Sequence, residues 1–299
     1  MFRSLSTSWE LAKASYGVLR SDRQLIIFPL ISTILTMIVA VTFIAPLIPF
    51  FMHSSMSSFA VASNGHYYQS RAPGGSGHSA LYYIWAFTFY LSQYFVIFFA
   101  NTALVSAAII RLRGGSPTVA DGFSVARSRI GSIFCYALIA STVGMVLRTI
   151  QERVGILGKI VTAIFGVAWT VATFLVTPVL VLENPGAIGA IKRSTALLKQ
   201  TWGEQIVGTV GISVVFSWIM LGILVVFGSL FVAAAVAGST AMAVTSGILL
   251  VLALLALALI QSALSGIYTA AVYLYAAEGF TPGAFDGDTI RGAFKTKSK

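Results

Sequence analysis

The sequence predicts an all-α integral membrane protein in which six transmembrane helices form three hairpins, each preceded by a cytoplasmic amphipathic helix at the membrane surface. The first observation is composition: 57% of the residues are hydrophobic and 9% are charged, whereas about a quarter of a soluble domain is charged. The second is a series of apolar runs long enough to cross a hydrocarbon core of about 30 Å. The third is a short basic segment before each pair of runs.

These basic segments are predicted to be surface helices because apolar residues recur at helical spacing with charged residues beside them. The clearest is Asn184 to Ile206, where Asn184-Pro185 is suited to a helix start. The others lie in the arm 1–24 and after Ser116-Pro117. The predicted apolar stripes are Leu5, Trp9, Ala12, Tyr16 and Leu19 in the first segment, Val119, Phe123, Ala126, Ile130 and Ile133 in the second, and Ile188, Ile191, Leu198, Trp202 and Ile206 in the third.

The basic residues of these helices are the first set of candidate functional residues. We expect them to contact anionic lipid headgroups or a partner protein at the cytoplasmic leaflet, because each cation near an anionic surface is attracted to it. The residues are Lys13, Arg20, Arg127, Arg129, Lys192, Arg193 and Lys199.

The apolar runs define the predicted spans and the division of the chain. Gln205 to Ala277 contains no charged residue and is longer than one crossing needs, so a hairpin turning at Ala237-Gly238-Ser239-Thr240 is predicted. The first four spans are predicted at Leu25–Phe51, Ala80–Ile110, Ile130–Leu147 and Lys159–Leu182, and the last two run from about Ile206 to near Ala277. The chain is then one membrane domain, made of the arm 1–24, a hairpin 25–110 with an external loop 52–79, units at 116–182 and 184–277, and a cytoplasmic tail 278–299.

Three amide side chains within the spans, Gln93, Asn101 and Gln261, form the second set of candidates. A polar amide at membrane depth needs a hydrogen-bond partner, so we expect these side chains to face other helices. For Asn101, lining a ligand pathway is the alternative. The series Ser262, Gly266 and Ala270 permits close helix approach within the bundle, and a dimer face is the alternative.

The distribution of positive charge predicts the orientation. Of the 19 lysines and arginines, 15 fall in the arm, in the two internal basic segments and in the tail, and 4 fall on the opposite side. The positive-inside rule then places both termini in the cytoplasm, in an inner (plasma) membrane. Arg148, Arg153 and Lys159 lie on the predicted outer side, where they either snorkel to the interface or pair with Glu152.

The sequence predicts neither a catalytic site nor a metal-binding site. The three histidines, His53, His66 and His78, are widely spaced in a Gly-rich and Ser-rich loop, unlike zinc ligands. The single cysteine, Cys135, excludes an intrachain disulfide. Since no nucleophile elbow, phosphate loop or dinucleotide fingerprint occurs, we expect no enzyme activity, no metal and no cofactor. The net charge of +10 is interpreted as a topology signal and not as a nucleic-acid surface.

The segment Thr177 to Trp202 carries a family resemblance. It ends a span at Glu183 and continues into a helix with Lys192-Arg193-Ser194. In this it resembles the membrane domain attached to some bacterial glycerophosphodiester phosphodiesterases, without their catalytic domain. The whole chain is more similar to an uncharacterised bacterial family of six-span proteins, through Trp9 to Ser15, Asn101 to Leu104 and Tyr273 to Gly279. This resemblance implies a fold and a topology but no activity.

Two function classes are left open. The favoured one is a membrane scaffold or accessory subunit that engages lipid, a second copy of the chain or another membrane protein, because most charged residues are predicted at the cytoplasmic surface. The alternative is a transporter, channel or lipid-handling protein. For that class an apolar or lipid-like ligand is expected, because the spans offer few groups that could bind an ion.

Overall fold

The computed structural model describes residues 2–48, 78–153, 155–201, 207–280 and 282–283. Side chains are described for 12–48, 83–151, 158–199, 216–280 and 282–283. Most of the predicted loop 52–79, with His53 and His66, lies outside the described residues. So do Trp202, Glu204, Ile206 and the tail from residue 284, as well as the side chains of Leu5, Trp9 and His78. The described part of the chain is almost entirely helical and contains no strand.

Ten α-helices follow one another along this part of the chain. They are α1 (Phe2–Ser21), α2 (Ile27–Ile44), α3 (His78–Leu112), α4 (Val119–Ser128), α5 (Ile130–Arg153), α6 (Gly155–Thr173), α7 (Val176–Leu182), α8 (Gly186–Thr201), α9 (Val207–Val236) and α10 (Thr240–Glu278), with a 3-10 turn at Arg23–Ile26. Six segments are long and apolar enough to cross a membrane: Arg23–Ile44, Tyr83–Leu112, Ile130–Gln151, Gly158–Leu182, Phe216–Val236 and Thr240–Glu278. The predicted number of spans is therefore confirmed for the described residues.

Several span ends differ from the prediction for local reasons. The first span was predicted to reach Phe51, but α2 ends at Ile44 and a turn follows at Ala45-Pro46. Pro46 has no backbone N–H, so it cannot continue the helical hydrogen-bond ladder. The third span was predicted at Ile130–Leu147 with a helix that continues past Leu147, and α5 does continue to Arg153, with the apolar segment extending to Gln151.

The fourth predicted span, Lys159–Leu182, is interrupted between α6 and α7. Pro178 explains the position of the break, because the ring of a proline clashes with the carbonyl four residues earlier, here that of Phe174. The buried N–H of Leu175 leaves the helical ladder and donates to Ser194 Oγ at 3.1 Å. A side chain of α8 thus satisfies the backbone group that the break exposes.

The predicted turn between the last two spans is confirmed. α9 ends at Val236, and Gly238 adopts a φ of +71°. The N–H of Ser239 donates to the Ala234 carbonyl and that of Gly238 to the Ala235 carbonyl. This is the Schellman pattern, which requires a left-handed residue and so favours glycine.

α3 lies at the centre of the bundle, where it contacts α2, α4, α5, α7 and α10. The contact with α10 depends on Gly266, since a Cβ atom there would lie 2.4 Å from Leu104 Cδ2. Ala270 is fully buried, whereas Ser262 is exposed. The small-residue series therefore permits close approach to α3 only in its second half.

The three short basic helices bury faces that differ from the predicted stripes. On α1, Ala12 and Leu19 are buried as predicted, but Tyr16 is 51% exposed and Ser15 is buried instead. On α8, Leu198 is buried, Ile188 is 63% exposed, and the inner face is built from residues that include Ala187, Ala190 and Ser194. Small residues permit close approach between helices, while large apolar side chains are tolerated on a lipid-facing side. Apolar periodicity therefore identifies only part of the buried face where both sides of a helix are apolar.

The second predicted stripe extends over two helices instead of one. α4 ends at Ser128, and Arg129 adopts a turn conformation before α5 begins at Ile130. Ala126 and Ile133 are fully buried, but Ile130, the first residue of the next helix, is 48% exposed.

Candidate functional site

A polar cluster joins α7, α8 and α10 at one end of the bundle. Arg193 Nε donates to both carboxylate oxygens of Glu183 at 3.0 Å, and the Tyr273 hydroxyl donates to Glu183 Oε1 at 2.8 Å.

The neighbouring Asn184 has a φ of +46°, which asparagine tolerates better than most residues, and its N–H donates to the Val179 carbonyl. Asn184 therefore terminates α7 and does not cap α8 as predicted. Its Oδ1 accepts a hydrogen bond from Ser132 of α5 at 2.9 Å.

A second group of contacts ties the C-terminal ends of α1, α3 and α10 together. Arg113 pairs with Glu278 at 2.6 Å. Arg111 donates to Ser21 Oγ at 3.3 Å and to the Gly115 carbonyl at 3.2 Å. Since Tyr273 and Glu278 belong to the same stretch of α10, both groups lie at one end of the molecule. We call it the charged end, defined by Ser21, Arg111–Gly115, Glu183–Arg193 and Tyr273–Glu278.

The seven basic residues predicted to contact lipid or a partner divide into two groups. Five are exposed and make no hydrogen bond or ion pair within the described ranges: Lys13, Arg20, Arg127, Lys192 and Lys199. The other two are held by the protein. Arg193 is paired with Glu183, and Arg129 is partly buried with an Nε atom that has no partner among the described groups.

The start of α4 is fixed by a reciprocal cap. Asp121 N–H donates to Thr118 Oγ1 at 3.2 Å, and the Thr118 N–H donates to Asp121 Oδ2 at 2.9 Å. The Thr118 hydroxyl also donates to Asp121 Oδ2 at 2.7 Å. These hydrogen bonds to the charged form hold the pKa of Asp121 below its usual value. The cap orients the helix that carries Arg127.

At the other end of the bundle, Arg148 of α5 donates to the Tyr90 hydroxyl and lies 5.9 Å from the centre of the Tyr90 ring. Tyr90 and Leu112 are separated along α3 by roughly 33 Å, at a rise of about 1.5 Å per residue, so Tyr90 lies far from the charged end. Arg148 thus has a tyrosine partner. Lys159 is exposed, and the side chains of Glu152 and Arg153 lie outside those described.

The three predicted intramembrane amides have different environments. Gln93 Nε2 donates to the Thr36 carbonyl at 3.1 Å and links α3 to α2. Asn101 Nδ2 reaches Thr177 Oγ1 of α7 at 3.5 Å, the long limit of a hydrogen bond. Gln261 has no hydrogen bond from its side chain to any described group and lines a groove together with Asn101.

This groove, which we call the lateral groove, lies between α2 and α10 above α3 and encloses about 390 Å³. Its polar lining consists of Ser32, Asn101, Gln261, Ser262 and Ser265, and the rest is apolar. The sequence identified Asn101 and Gln261 as candidates because they are polar amides within apolar runs. It did not identify Ser32 and Ser265. Serines are common in transmembrane helices, so no sequence signal distinguishes these two. Among the described residues no group of three His, Cys, Asp or Glu side chains could hold a metal ion.

The six long apolar helices of the described residues are those of a multi-pass helical membrane protein. Within that class the chain belongs to DUF6159, a family of unknown function whose model matches residues 80–283. No match is found among curated proteins or among solved structures.

Proposed function

We propose that the protein is a non-enzymatic membrane scaffold or accessory subunit of a bacterial inner membrane, and that its charged end engages anionic lipid headgroups or a partner protein at the cytoplasmic leaflet. The observation that carries this proposal is the division of the basic residues. Arg111, Arg113 and Arg193 are used in contacts within the chain, while five cations on the short helices α1, α4 and α8 remain exposed. Exposed cations near an anionic leaflet are attracted to it.

The proposed topology has three hairpins, α2 with α3, α5 with α6 and α7, and α9 with α10, with both termini in the cytoplasm. Contacts between consecutive apolar helices support the hairpins. The clustering of Ser21, Arg111, Arg193 and Glu278 at one end supports a common side for the basic segments. Because Tyr16 and Ile188 are exposed beside lysines and arginines, α1 and α8 have the mixed surface of interfacial helices.

The test is lipid retention by the reconstituted full-length protein. Nanodiscs containing phosphatidylcholine and phosphatidylglycerol are prepared, and the lipids that stay bound after extraction are counted by native mass spectrometry. We expect phosphatidylglycerol to be enriched, and Lys192→Gln with Lys199→Gln to reduce the enrichment, since each charge contributes about 1 kcal/mol before screening. Lys159→Gln, exposed at the other end, is the control. Equal retention of both lipids by the unmodified protein would overturn the engagement of anionic lipid headgroups.

The second candidate function is the handling of an apolar or lipid-like ligand, and the lateral groove is the observation that favours it. The similarity to the membrane domain of glycerophosphodiester phosphodiesterases is compatible with either function and remains a hypothesis.

A further inference from the structure

Polar side chains in the described spans nearly all have a hydrogen-bond partner within the protein. The hydroxyls of Thr33, Thr36, Ser92, Thr102 and Thr245, for example, donate to carbonyls of their own helices. Four Ser, Thr, Asn or Gln side chains away from the helix ends form no hydrogen bond with any described group: Ser32, Gln261, Ser262 and Ser265. An unpaired polar group in a hydrocarbon environment is costly, so each of these groups is available to bond to a ligand.

All four of these side chains lie in one place, the lateral groove. Ser32 belongs to the α2 wall, and Gln261, Ser262 and Ser265 belong to the α10 wall. Asn101 of α3 lies beneath them, and its side chain makes only the long hydrogen bond to Thr177 among the described groups. An asparagine amide offers two donors and an acceptor, so Asn101 has unused capacity as well. The unpaired groups therefore form a single binding surface.

The position and chemistry of the groove indicate its occupant. Ala258, Ser262 and Ser265 are exposed on the apolar span Thr240–Glu278, so the groove opens sideways toward the bilayer. No charged side chain is among its described lining, and a phosphate group there would be desolvated without a counter-ion. Amides and serine hydroxyls both donate and accept hydrogen bonds, as ester carbonyls and a free hydroxyl require.

We infer that the lateral groove binds an uncharged glycerolipid of the diacylglycerol type. Its glycerol hydroxyl and ester oxygens bond to Ser32, Asn101, Gln261 and Ser265, and its acyl chains continue into the bilayer. The inference rests on the second candidate function and names the ligand class of that site. It concerns binding alone and does not involve the exposed lysines of α1 and α8.

The test uses a photoactivatable diacylglycerol at low mole fraction in phosphatidylcholine nanodiscs that hold the full-length protein. After irradiation, the labelled peptides are mapped by mass spectrometry. Labelling is expected around Gln261 and Ser32, and unlabelled diacylglycerol should compete while phosphatidylglycerol should not. Gln261→Leu should weaken binding about threefold for each hydrogen bond lost, and Ala258→Phe should block the groove from its exposed rim.

Thr245→Val is the matched control on α10, because the Thr245 hydroxyl already bonds to its own helix and the residue is exposed. Thermal unfolding of each variant should show that labelling is lost without loss of fold. Labelling spread over the exposed faces of all spans, or competition by phosphatidylglycerol, would overturn the inference. If labelling fails while anionic lipid is still enriched, only the groove assignment fails. If labelling succeeds without lipid transfer, the binding site stands and the lipid-handling function does not.

Discussion

The Tyr273 hydroxyl donates to Glu183 Oε1 at 2.8 Å and joins α10 to the junction of α7 and α8, 90 residues earlier in the chain. The same carboxylate accepts both hydrogen bonds from Arg193 Nε. One acidic side chain thus connects three helices at the charged end. The ion pair is partly exposed, with 41% of the Arg193 side chain and 31% of the Glu183 side chain accessible, so solvent weakens it.

Tyr273→Phe should lower the free energy of unfolding by about 1 kcal/mol, because it removes one hydrogen bond to a charged acceptor and keeps the ring. The measurement is denaturant unfolding in detergent followed by circular dichroism. Tyr16→Phe, at a half-exposed tyrosine, should change nothing. A double-mutant cycle with Glu183→Ala should give a coupling energy above zero, and additive effects would contradict the contact.

Ser194→Ala should destabilise the protein by about 1–3 kcal/mol, since the buried N–H of Leu175 would lose its acceptor. Thr195→Ala is the neighbouring control, because the Thr195 hydroxyl bonds only to the Ile191 carbonyl of its own helix. Hydrogen exchange should show faster exchange at Leu175 in the first variant alone. Equal unfolding free energies for the two variants would refute the role of Ser194 at the helix break.

Gly266→Ala should destabilise by about 1–3 kcal/mol, because the new Cβ would overlap the buried Leu104 side chain. Gly222→Ala in α9 should be neutral or stabilising by up to about 1 kcal/mol, since nothing lies within 4 Å of its added Cβ. The measurement is thermal unfolding of the two variants in the same detergent, which compares their stabilities directly. If both changes act in the same direction, the close approach of α10 to α3 is wrong.

The cap at the start of α4 should give a pH-dependent contribution to stability. The pKa of Asp121 is lower in the folded protein than its usual value, so the contribution is fully present above that usual value and is lost as the pH falls through the lowered one. Hydrogen exchange of the first turn of α4 should therefore become relatively faster in acid, after correction for the intrinsic rate. Asp121→Asn should remove this pH dependence, and an unchanged profile would show that the cap does not contribute.

Sequence patterns predicted the number of spans because hydrocarbon thickness determines how long an apolar run must be. They also located the turn at Gly238, where the backbone conformation favours glycine. Neither the pairing of Glu183 with Tyr273 nor that of Leu175 with Ser194 could be predicted in this way, since each joins residues that are far apart in sequence. The break before Pro178 was missed because the whole run reads as one apolar span.

The inner faces of the short helices show a further physical limit. Ser15 and Ser194 are fully buried, while Tyr16 and Ile188 are exposed. In water, apolar residues would identify the buried side, but a bilayer is as apolar as the bundle, so periodicity does not distinguish neighbouring helices from lipid. The same limit explains why Ser32 and Ser265 became visible as groove residues only in three dimensions.

The central claim is that the charged end faces the cytoplasm, and cysteine labelling in intact cells tests it most directly. In a Cys135→Ser background, Ser76→Cys should react with a membrane-impermeant thiol reagent, and Ser298→Cys should react only after the cells are permeabilised. Labelling of Ser298→Cys in intact cells, with Ser76→Cys protected, would contradict the orientation and the proposed engagement of the cytoplasmic leaflet.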